Sequence, residues 1–374
     1  MTSESVGSSN ARILQKRADS SFSIEKADKE RDRPEQTQAQ QASGGGLGGI
    51  KLAVLLTLMI QNAAHALLAR YSQGILKEKY SSTEVVLMGE VMKLFISGYL
   101  SLVDTSETDA PGQGLQKLMW LALHGKRIIL LVILYSVANL IAYYALARVD
   151  ASVYSVLLQL KIVTTAGFAV TILGRNISWS KWRALLLLVL GCILVASPAF
   201  QKDKCDEEGD TESDRRVSSL ESMMGVGAVL FMVTISGYSA IYFEQMLKRV
   251  TEKVTIWERN FQLALYSILL LCIVNVYEAN TKKMNSLQSS HSWFEGWTIN
   301  TVMIAIVQAS GGLLVAATLK YADAVLKTLA TSGSIVMSAV VGWMLLGGSL
   351  DIFVAIGCLV TILAIFNFVL EPDK

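Results

Sequence analysis

The sequence of 374 residues has few charged residues, few prolines and few cysteines for its length. Charged residues make up 17% of the chain, and their formal net charge of +2 is too small to indicate a nucleic-acid partner. The four cysteines, three of them inside apolar segments, provide neither a disulfide framework nor a metal site. The three scattered histidines argue against zinc and against a histidine-centred membrane enzyme. We therefore expect no metal, no cofactor and no enzymatic activity.

The first 49 residues lack any long apolar run and have almost no aromatic residues. Ser, Gln and charged residues dominate this segment, a composition typical of disorder. Because it contains no apolar core, it is not a cleaved signal peptide. The glycine run at 44–49 lacks the adjacent lysine and hydroxyl residue of a phosphate-binding loop, and we interpret it as a flexible lead-in. The sequence predicts a disordered tail over 1–49.

From about residue 50 onwards, long apolar runs dominate the chain. Hydrophobic residues reach 52% of the whole sequence and the mean hydropathy is +0.44, as in polytopic membrane proteins. We predict an all-α membrane protein whose ten transmembrane helices occupy 50–371, with halves 50–200 and 222–371 and an acidic connector at 201–221. The runs lie at 50–70, 84–103, 127–147, 152–174, 183–200, 222–247, 256–277, 298–319, 324–347 and 351–370.

The orientation follows from the even number of spans and from the basic residues of the tail. Ten spans place both termini on the same side of the membrane. Lysines and arginines in the tail favour the cytosol for that side, and the connector at 201–221 is then luminal.

A weak internal repeat relates the two halves. Ten spans divide into two units of five, and an odd unit length inverts the second unit relative to the first. Two inverted five-helix repeats are typical of secondary transporters with a site near the midplane. Chance matching of a few small residues is the alternative. The repeat pairs Leu146, Asp150-Ala151 and Leu173-Gly174 with Leu319, Asp323-Ala324 and Leu346-Gly347.

A lysine, Lys161, lies at the middle of the fourth apolar run. An ammonium at that depth costs roughly 2.5 to 3.5 kcal/mol, so it normally faces a bundle interior or a water-filled cavity. Helical spacing places Tyr154, Thr164 and Phe168 on the same face. An aromatic ring, a hydroxyl and a fixed charge on one stripe suit a base and a phosphate. The alternative is a lysine paired with a carboxylate for stability alone.

A second lysine, Lys327, opens the ninth run with Thr331 on its face. Snorkelling to the interface would explain Lys327 without any ligand. However, Lys161 and Lys327 are the two cations best placed to enter one cavity from opposite halves. They would balance the two negative charges of a pyrophosphate diester, each contact contributing roughly 4 kcal/mol before desolvation at an effective dielectric near 20. The chain has no Walker motif, so any transport has to be secondary.

Other polar residues inside the runs divide into structural and binding candidates. Glu90 and Lys93 are three residues apart, close enough to neutralise one another, and we interpret them as a structural ion pair rather than as substrate ligands. Asn260 and Gln262 are candidate ligands because uncharged amides can read the edge of a base. Tyr135 and Asn139 share a face of the third run.

Several motifs resemble the Golgi nucleotide-sugar transporter family. This branch of the drug/metabolite transporter superfamily holds the UDP-galactose, UDP-N-acetylglucosamine and CMP-sialic acid transporters. The resemblance covers about 50–370 and implies ten helices in inverted repeats. It also implies exchange of a cytosolic nucleotide sugar for the luminal nucleoside monophosphate. The motifs are Arg70-Tyr71-Ser72, Glu90-Val91-Met92-Lys93-Leu94, Gln159-Leu160-Lys161-Ile162, Tyr242-Phe243-Glu244, and Lys320-Tyr321-Ala322-Asp323 followed by Leu326-Lys327.

The resemblance also assigns roles by position. It implies that Lys161 and Lys327 face the phosphates. Where CMP-sialic acid carriers have a tyrosine and a glutamine, this chain has Ala264 and Ala138, which favours uracil over cytosine. With Gln262 and Thr331 added from the residue analysis, the candidates for the nucleoside and the sugar are Tyr135, Asn139, Tyr154, Ser236, Asn260, Gln262 and Thr331.

The sequence thus predicts a multi-pass Golgi antiporter that exchanges UDP-galactose or UDP-N-acetylglucosamine for UMP. The alternatives are a CMP-sialic acid/CMP exchanger on the same scaffold, a non-nucleotide metabolite transporter, a membrane-embedded enzyme and a scaffold without flux. The enzyme would need an acid or histidine constellation near an interface, and we find none. The partners are the nucleotides and the lipid bilayer. Small residues such as Gly342, Gly347 and Gly357 suit either a homodimer or packing within one chain.

Overall fold

A computed structural model describes most of the chain from residue 46 onwards. The described residues are 46–106, 108–112, 114–146, 148–149, 151–196, 212–248, 254–285, 294, 296–346 and 351–371. The tail predicted to be disordered, as far as residue 45, and the first part of the predicted connector lie outside these ranges. Contacts divide the chain into two units, Met1–Leu52 and Ala53–Lys374, and the second contains every residue of the candidate site.

Eleven α-helices account for nearly all of the residues that the structure describes. Each helix takes a number in chain order. They are α1 (Gly46–Ala69, followed by a π-helical turn at Arg70–Ile75), α2 (Ser82–Val103), α3 (Leu115–Leu123), α4 (Lys126–Leu146), α5 (Ala151–Leu173), α6 (Trp179–Val195), α7 (Glu212–Lys248), α8 (Ile256–Asn285), α9 (Ile299–Tyr321), α10 (Ala324–Leu346) and α11 (Ile352–Leu370).

Nine helices of the described chain are long and apolar enough to cross a membrane. They coincide with nine of the ten predicted runs, and the protein is a multi-pass membrane protein. The remaining predicted run, 183–200, corresponds to α6, which has 17 residues. At 1.5 Å per residue α6 is about 25 Å long, shorter than the roughly 30 Å hydrocarbon core. A count of ten spans therefore stays a prediction.

Two helix boundaries differ from the sequence prediction. Helix α1 begins at Gly46, inside the glycine run interpreted as a flexible lead-in. Helix α7 begins at Glu212, so the second part of the predicted connector 201–221 is helical. Hydropathy marks only the apolar part of a helix, and polar residues that extend a helix beyond the membrane leave no such mark.

Helices distant in sequence pack against each other most extensively. The largest interfaces join α6 to α11, α5 to α7, α4 to α7, and α8 to α2. One hydrophobic core contains residues from eight helices, α4 to α11. Its members include Ile128, Ile162, Leu185, Ile241, Leu263, Leu319, Leu329 and Ala364.

Small residues let α6 and α11 approach closely. A Cβ added at Gly357 of α11 would lie 2.7 Å from the backbone nitrogen of Val195, so only glycine fits there. Gly342 of α10 lies against the side chains of Arg70 and Leu67. Both glycines are used for packing within one chain, the alternative to a homodimer interface. Gly347 lies outside the described residues.

Candidate functional site

The two lysines of the predicted phosphate site lie on neighbouring helices. Lys161 is near the middle of α5, Lys327 is in the first turn of α10, and these helices contact each other. Both lysine side chains are half-buried in the packing of these helices.

Neither ammonium group has an acidic partner within the part of the chain that the structure describes. The ion pairs there involve other lysines and arginines. An ammonium group without an anion is costly in a desolvated position. Among the described residues, nothing supports the alternative of a carboxylate-paired structural lysine at Lys161.

A threonine follows each lysine and bonds back to the helix. The Thr164 hydroxyl lies 3.2 Å from the Lys161 carbonyl and 3.4 Å from the Val233 carbonyl of α7. The Thr331 hydroxyl donates to the carbonyl of Lys327 at 2.7 Å. A hydroxyl has a single proton, so Thr331 keeps only acceptor capacity for a ligand in this conformation.

The predicted aromatic residues line the contacts among α4, α5 and α7. Tyr135 is half-buried against the main core, which also includes the neighbours of both lysines, Ile162 and Leu326. Tyr154 is half-buried too, with its hydroxyl 3.9 Å from the Met232 sulfur.

The two smaller polar residues predicted on α4 and α7 have different exposure. Ser236 of α7 is half-buried. Asn139 of α4 is exposed. The structure thus places Ser236, but not Asn139, inside the helix packing.

Two amides on α8 differ in the polar atoms they leave free. Asn260 is fully buried; its amide nitrogen donates to the Ile256 carbonyl at 3.1 Å, and its side-chain oxygen has no partner among the described residues. Gln262 donates to the Leu121 carbonyl at 3.0 Å and accepts from Arg259 at 3.2 Å. Asn260 therefore keeps one buried acceptor without a partner in the described chain, whereas both polar groups of Gln262 are hydrogen-bonded, to Leu121 and Arg259.

Glu90 and Lys93 lie together on α2. The Lys93 Nζ is 2.6 Å from one Glu90 carboxylate oxygen and 2.7 Å from the other. Gly312 of α9 packs on this pair, since a Cβ added there would lie 2.9 Å from Lys93 Cδ. The geometry is that of a closed ion pair at a helix interface.

A buried acid on α7, Glu244, joins three segments at one end of the bundle. Its carboxylate accepts hydrogen bonds from Arg175, from Lys248 at 2.8 Å and from the backbone N–H of Ala324 at 2.9 Å. Asp323 completes the cluster, 3.5 Å from Arg175. The sequence places Glu244 in the sixth apolar run but does not indicate its function, because most of its partners are far away in the chain.

A second buried acid, Glu258, begins α8. It pairs with Lys117 of α3 at 2.7 Å and accepts from the Thr255 backbone N–H at 2.8 Å. The reciprocal bond from Glu258 N–H to the Thr255 hydroxyl makes a capping box. The pattern of threonine followed three residues later by glutamate is readable in the sequence and would have located this N-terminus.

The other end of the bundle has a carboxylate held by neutral donors. Glu78, in the loop between α1 and α2, accepts from Ser72 at 2.5 Å, from Thr298 at 2.8 Å and from Asn300 at 3.1 Å. These hydrogen bonds, that from Ser72 foremost, lower the pKa of Glu78 below its ordinary value. Glu78 therefore ties the exit of α1 to the start of α9.

Comparison with known proteins gives one family and a consistent group of relatives. A family model described as "Nucleotide-sugar transporter" matches residues 48–369. A UDP-N-acetylglucosamine/UDP-N-acetylgalactosamine transporter of Caenorhabditis elegans is 32% identical over 87% of this chain and 95% of its own length. A UDP-N-acetylglucosamine transporter of Rattus norvegicus is 30% identical over 86% and 96%. A UDP-galactose translocator of Homo sapiens is 32% identical over 85% and 77%.

A crystal structure of another protein shares the fold. It superimposes with a TM-score of 0.57 at 13% identity and covers 86% of this chain and 98% of its own. At that identity the likeness concerns the helix arrangement alone.

Proposed function

Because the chain belongs to the nucleotide-sugar transporter family, we propose that it exchanges a cytosolic UDP-sugar for luminal UMP across the Golgi membrane. The sugar is N-acetylglucosamine or galactose, the substrates named for its relatives. The exchange uses ten spans, which are the nine long helices described above and α6. They are arranged as two inverted halves that open alternately to the two sides of the membrane. Both termini then lie in the cytosol.

The observation that carries this proposal is the pair of lysines without acidic partners in the described chain. Lys161 and Lys327 come from the two predicted halves and lie on helices that pack against each other. A pyrophosphate diester brings two negative charges, which offset both the mutual repulsion and the desolvation of the ammonium groups. A cationic substrate would have the opposite effect.

The same charge balance supports exchange rather than one-way flux. UMP and a UDP-sugar share the uridine and a phosphate, so both fit one site. Without an anion, the two lysines are left as like charges in a confined space, which disfavours the rearrangement of an empty carrier. Return with UMP bound keeps the site neutralised throughout the cycle.

The other predicted lining residues suit a uracil nucleoside. Asn260 has a buried acceptor oxygen, and the N3–H of uracil is a donor. Ala264 and Ala138 are small and buried where CMP-sialic acid carriers have larger side chains. Tyr135, Tyr154 and Ser236 complete the predicted lining. Gln262, Thr331 and the exposed Asn139 contribute less, because their polar groups are engaged or face away from the packing.

Reconstituted transport tests the proposal directly. Liposomes that contain the purified protein and are preloaded with UMP should take up labelled UDP-sugar, whereas empty liposomes should take up little. Lys161→Ala protein should fail in the same assay. Equal uptake with and without internal UMP would contradict exchange, and full uptake by Lys161→Ala would contradict the site.

The nucleotide itself is tested by a binding panel. Thermal unfolding of the purified protein is measured with UMP, CMP and GMP, since a ligand at one hundred times its dissociation constant stabilises by about 2.7 kcal/mol. UMP should give the largest shift. A larger shift with CMP would identify a CMP-sialic acid carrier, and no shift with any nucleotide would point to a different metabolite.

A further inference from the structure

Helix α7 contacts both of the lysine-bearing helices from one face. Gly237 and Glu244 are seven residues apart, two helical turns, and so lie on the same side. At Gly237, α7 lies directly against α5: a Cβ added there would lie 2.7 Å from Thr164 Oγ1 and 3.1 Å from the backbone nitrogen of Thr165. This contact is one turn beyond Lys161, so it fixes the distance of α7 from that part of α5.

At Glu244, α7 holds the beginning of α10. The buried carboxylate accepts from the backbone N–H of Ala324, the first residue of α10, at 2.9 Å. The first N–H groups of a helix have no partner within the helix, and a carboxylate there also interacts favourably with the helix dipole. Lys327 lies in that same first turn, so the position of its Cα depends on this bond.

Two basic residues fix the Glu244 carboxylate in turn, and Asp323 joins the cluster through one of them. Arg175, two residues after the end of α5 at Leu173, contacts both Glu244 and Asp323. Lys248 contacts Glu244 at 2.8 Å and the carbonyl of Ala322. Asp323 accepts from the N–H of Leu326 at 2.7 Å, which makes a second bond to the first turn of α10. The two acids and two bases balance, and together they join the end of α5 to the start of α10.

We propose that Glu244 is a positioning residue for the phosphate site: it sets the place of Lys327 relative to Lys161 by capping α10 from α7. The two contact points on α7 are about 10.5 Å apart along its axis, a spacing that a helix keeps rigidly. The proposal rests on the proposed function, since it assumes that the two lysines bind phosphates. Glu244 itself does not touch the ligand.

The test compares UMP with uridine, which lacks the phosphate. Glu244→Gln keeps the shape and one acceptor oxygen but loses the charge that Arg175 and Lys248 neutralise. We expect UMP binding to weaken about five- to tenfold, no more than removal of Lys327 itself, and uridine binding to stay within about twofold of the parent protein. The ratio of the two dissociation constants is measured by equilibrium binding to purified protein.

Two other roles for Glu244 predict different results. If Glu244 acted only through its charge, Glu244→Gln would make the site more positive and UMP binding would tighten. If it served stability alone, UMP and uridine binding would fall by the same factor. Either result overturns the proposal.

Glu258→Gln is the matched control. Glu258 is also a buried acid at the start of a helix and also has a basic partner, but it caps α8 and not α10. We expect it to leave the UMP-to-uridine ratio unchanged. A ratio lowered as much as in Glu244→Gln would show a general effect of buried acids and overturn the proposal.

If the Glu244→Gln protein does not fold, the Asp323→Ala variant tests the proposal instead. This side chain is partly exposed, and the substitution removes both the contact with Arg175 and the bond to Leu326 N–H. A loss of UMP binding of about fivefold with uridine binding retained supports the proposal, and an unchanged ratio overturns it. A parent protein that binds uridine and UMP equally overturns the proposed function first, and the two failures are therefore distinguishable.

Discussion

Lys93 on α2 and Lys161 on α5 both lie within helices of membrane length, but their ammonium groups have opposite surroundings. The Glu90 carboxylate lies 2.6 Å from Lys93. Lys161 has no acidic partner in the described chain, and the helix α10 that packs on its own helix carries another lysine, Lys327. A paired ammonium is neutralised permanently and contributes to packing, whereas two unpaired ones need an anion from outside. Residue type and depth in the membrane therefore do not identify a ligand-binding lysine. The absence of an acidic partner does.

Removal of Lys161 is expected to have the largest effect of all. Lys161→Ala should reduce exchange of UDP-sugar by at least about 100-fold, because it truncates a desolvated charge contact worth about 2.7 kcal/mol or more. The same substitution removes a buried charge that no acid offsets, so the melting temperature without ligand should not fall. Uptake assays and thermal unfolding measure the two effects separately. A large loss of stability together with the loss of transport would contradict the contrast between unpaired Lys161 and paired Lys93.

Removal of Lys93 should have the reverse pattern. Lys93→Ala leaves Glu90 charged and without its partner, and we expect a loss of about 2 to 3 kcal/mol in stability, discounted because Glu90 is partly accessible. The UMP-to-uridine binding ratio of the folded protein should not change. Replacement of both residues, Glu90→Gln with Lys93→Met, should recover most of the stability. A double variant as unstable as Lys93→Ala would argue against a purely structural pair.

Removal of Lys327 should have an intermediate effect on binding. Lys327 lies in the first turn of α10, nearer a helix end than Lys161, which lies near the middle of α5. Lys327→Ala should weaken UMP binding by about tenfold, or 1.4 kcal/mol, and leave uridine binding within about twofold. Lys320→Ala, at an exposed position in the last turn of α9, is the control and should change neither. Unchanged UMP binding in Lys327→Ala would mean that this lysine only snorkels.

A large residue at position 264 should alter the nucleotide preference. Ala264 is fully buried on α8, four residues after Asn260. Ala264→Tyr should overpack this place at a cost of about 1 to 3 kcal/mol and weaken UMP binding about fivefold, with CMP binding weakened less. The nucleotide panel measures this, and Ala264→Ser serves as a small control. Equal loss for both nucleotides would place Ala264 in packing alone.

The smallest effect concerns Glu78, a carboxylate held by neutral donors instead of a lysine. Its folded-state pKa is lowered, so its contribution to stability is present above its ordinary value of 4.5 and is lost as the pH falls through the lowered pKa. The melting temperature should decrease over that interval. Glu78→Gln should make the decrease shallower, and an identical decrease in both proteins would assign it to other acids.

The long helices could be predicted from the sequence because apolar runs of membrane length are a local property. Nine of the predicted runs are helices of that length, whereas α6 begins at Trp179 and ends at Val195, earlier than the predicted 183–200. The first turn of α6 mixes apolar and polar residues, so an average hydropathy does not mark the start of this helix. The Glu90–Lys93 pair was also local, at three residues' separation.

The arrangement of the site could not be predicted because its contacts join distant parts of the chain. Glu244 meets Arg175 across 69 residues and Ala324 across 80 residues. Within the network, only the Glu244–Lys248 pair, four positions apart, and the bond from Leu326 N–H to Asp323, three positions apart, have a local signature. The sequence predicts that Lys161 and Lys327 enter one cavity from opposite halves, but the contact that places α5 beside α10 joins residues far apart in the chain.

The glycine contact between α6 and α11 has a mechanical consequence. The backbones of α6 and α11 touch at Gly191 and Gly357, so the two helices cannot slide past one another without a steric clash. We expect them to move as one rigid body. The 17-residue α6 is therefore held against α11, the most apolar of the membrane-length helices in the described chain. Helix movements during transport therefore have to occur at other helix–helix interfaces of the bundle.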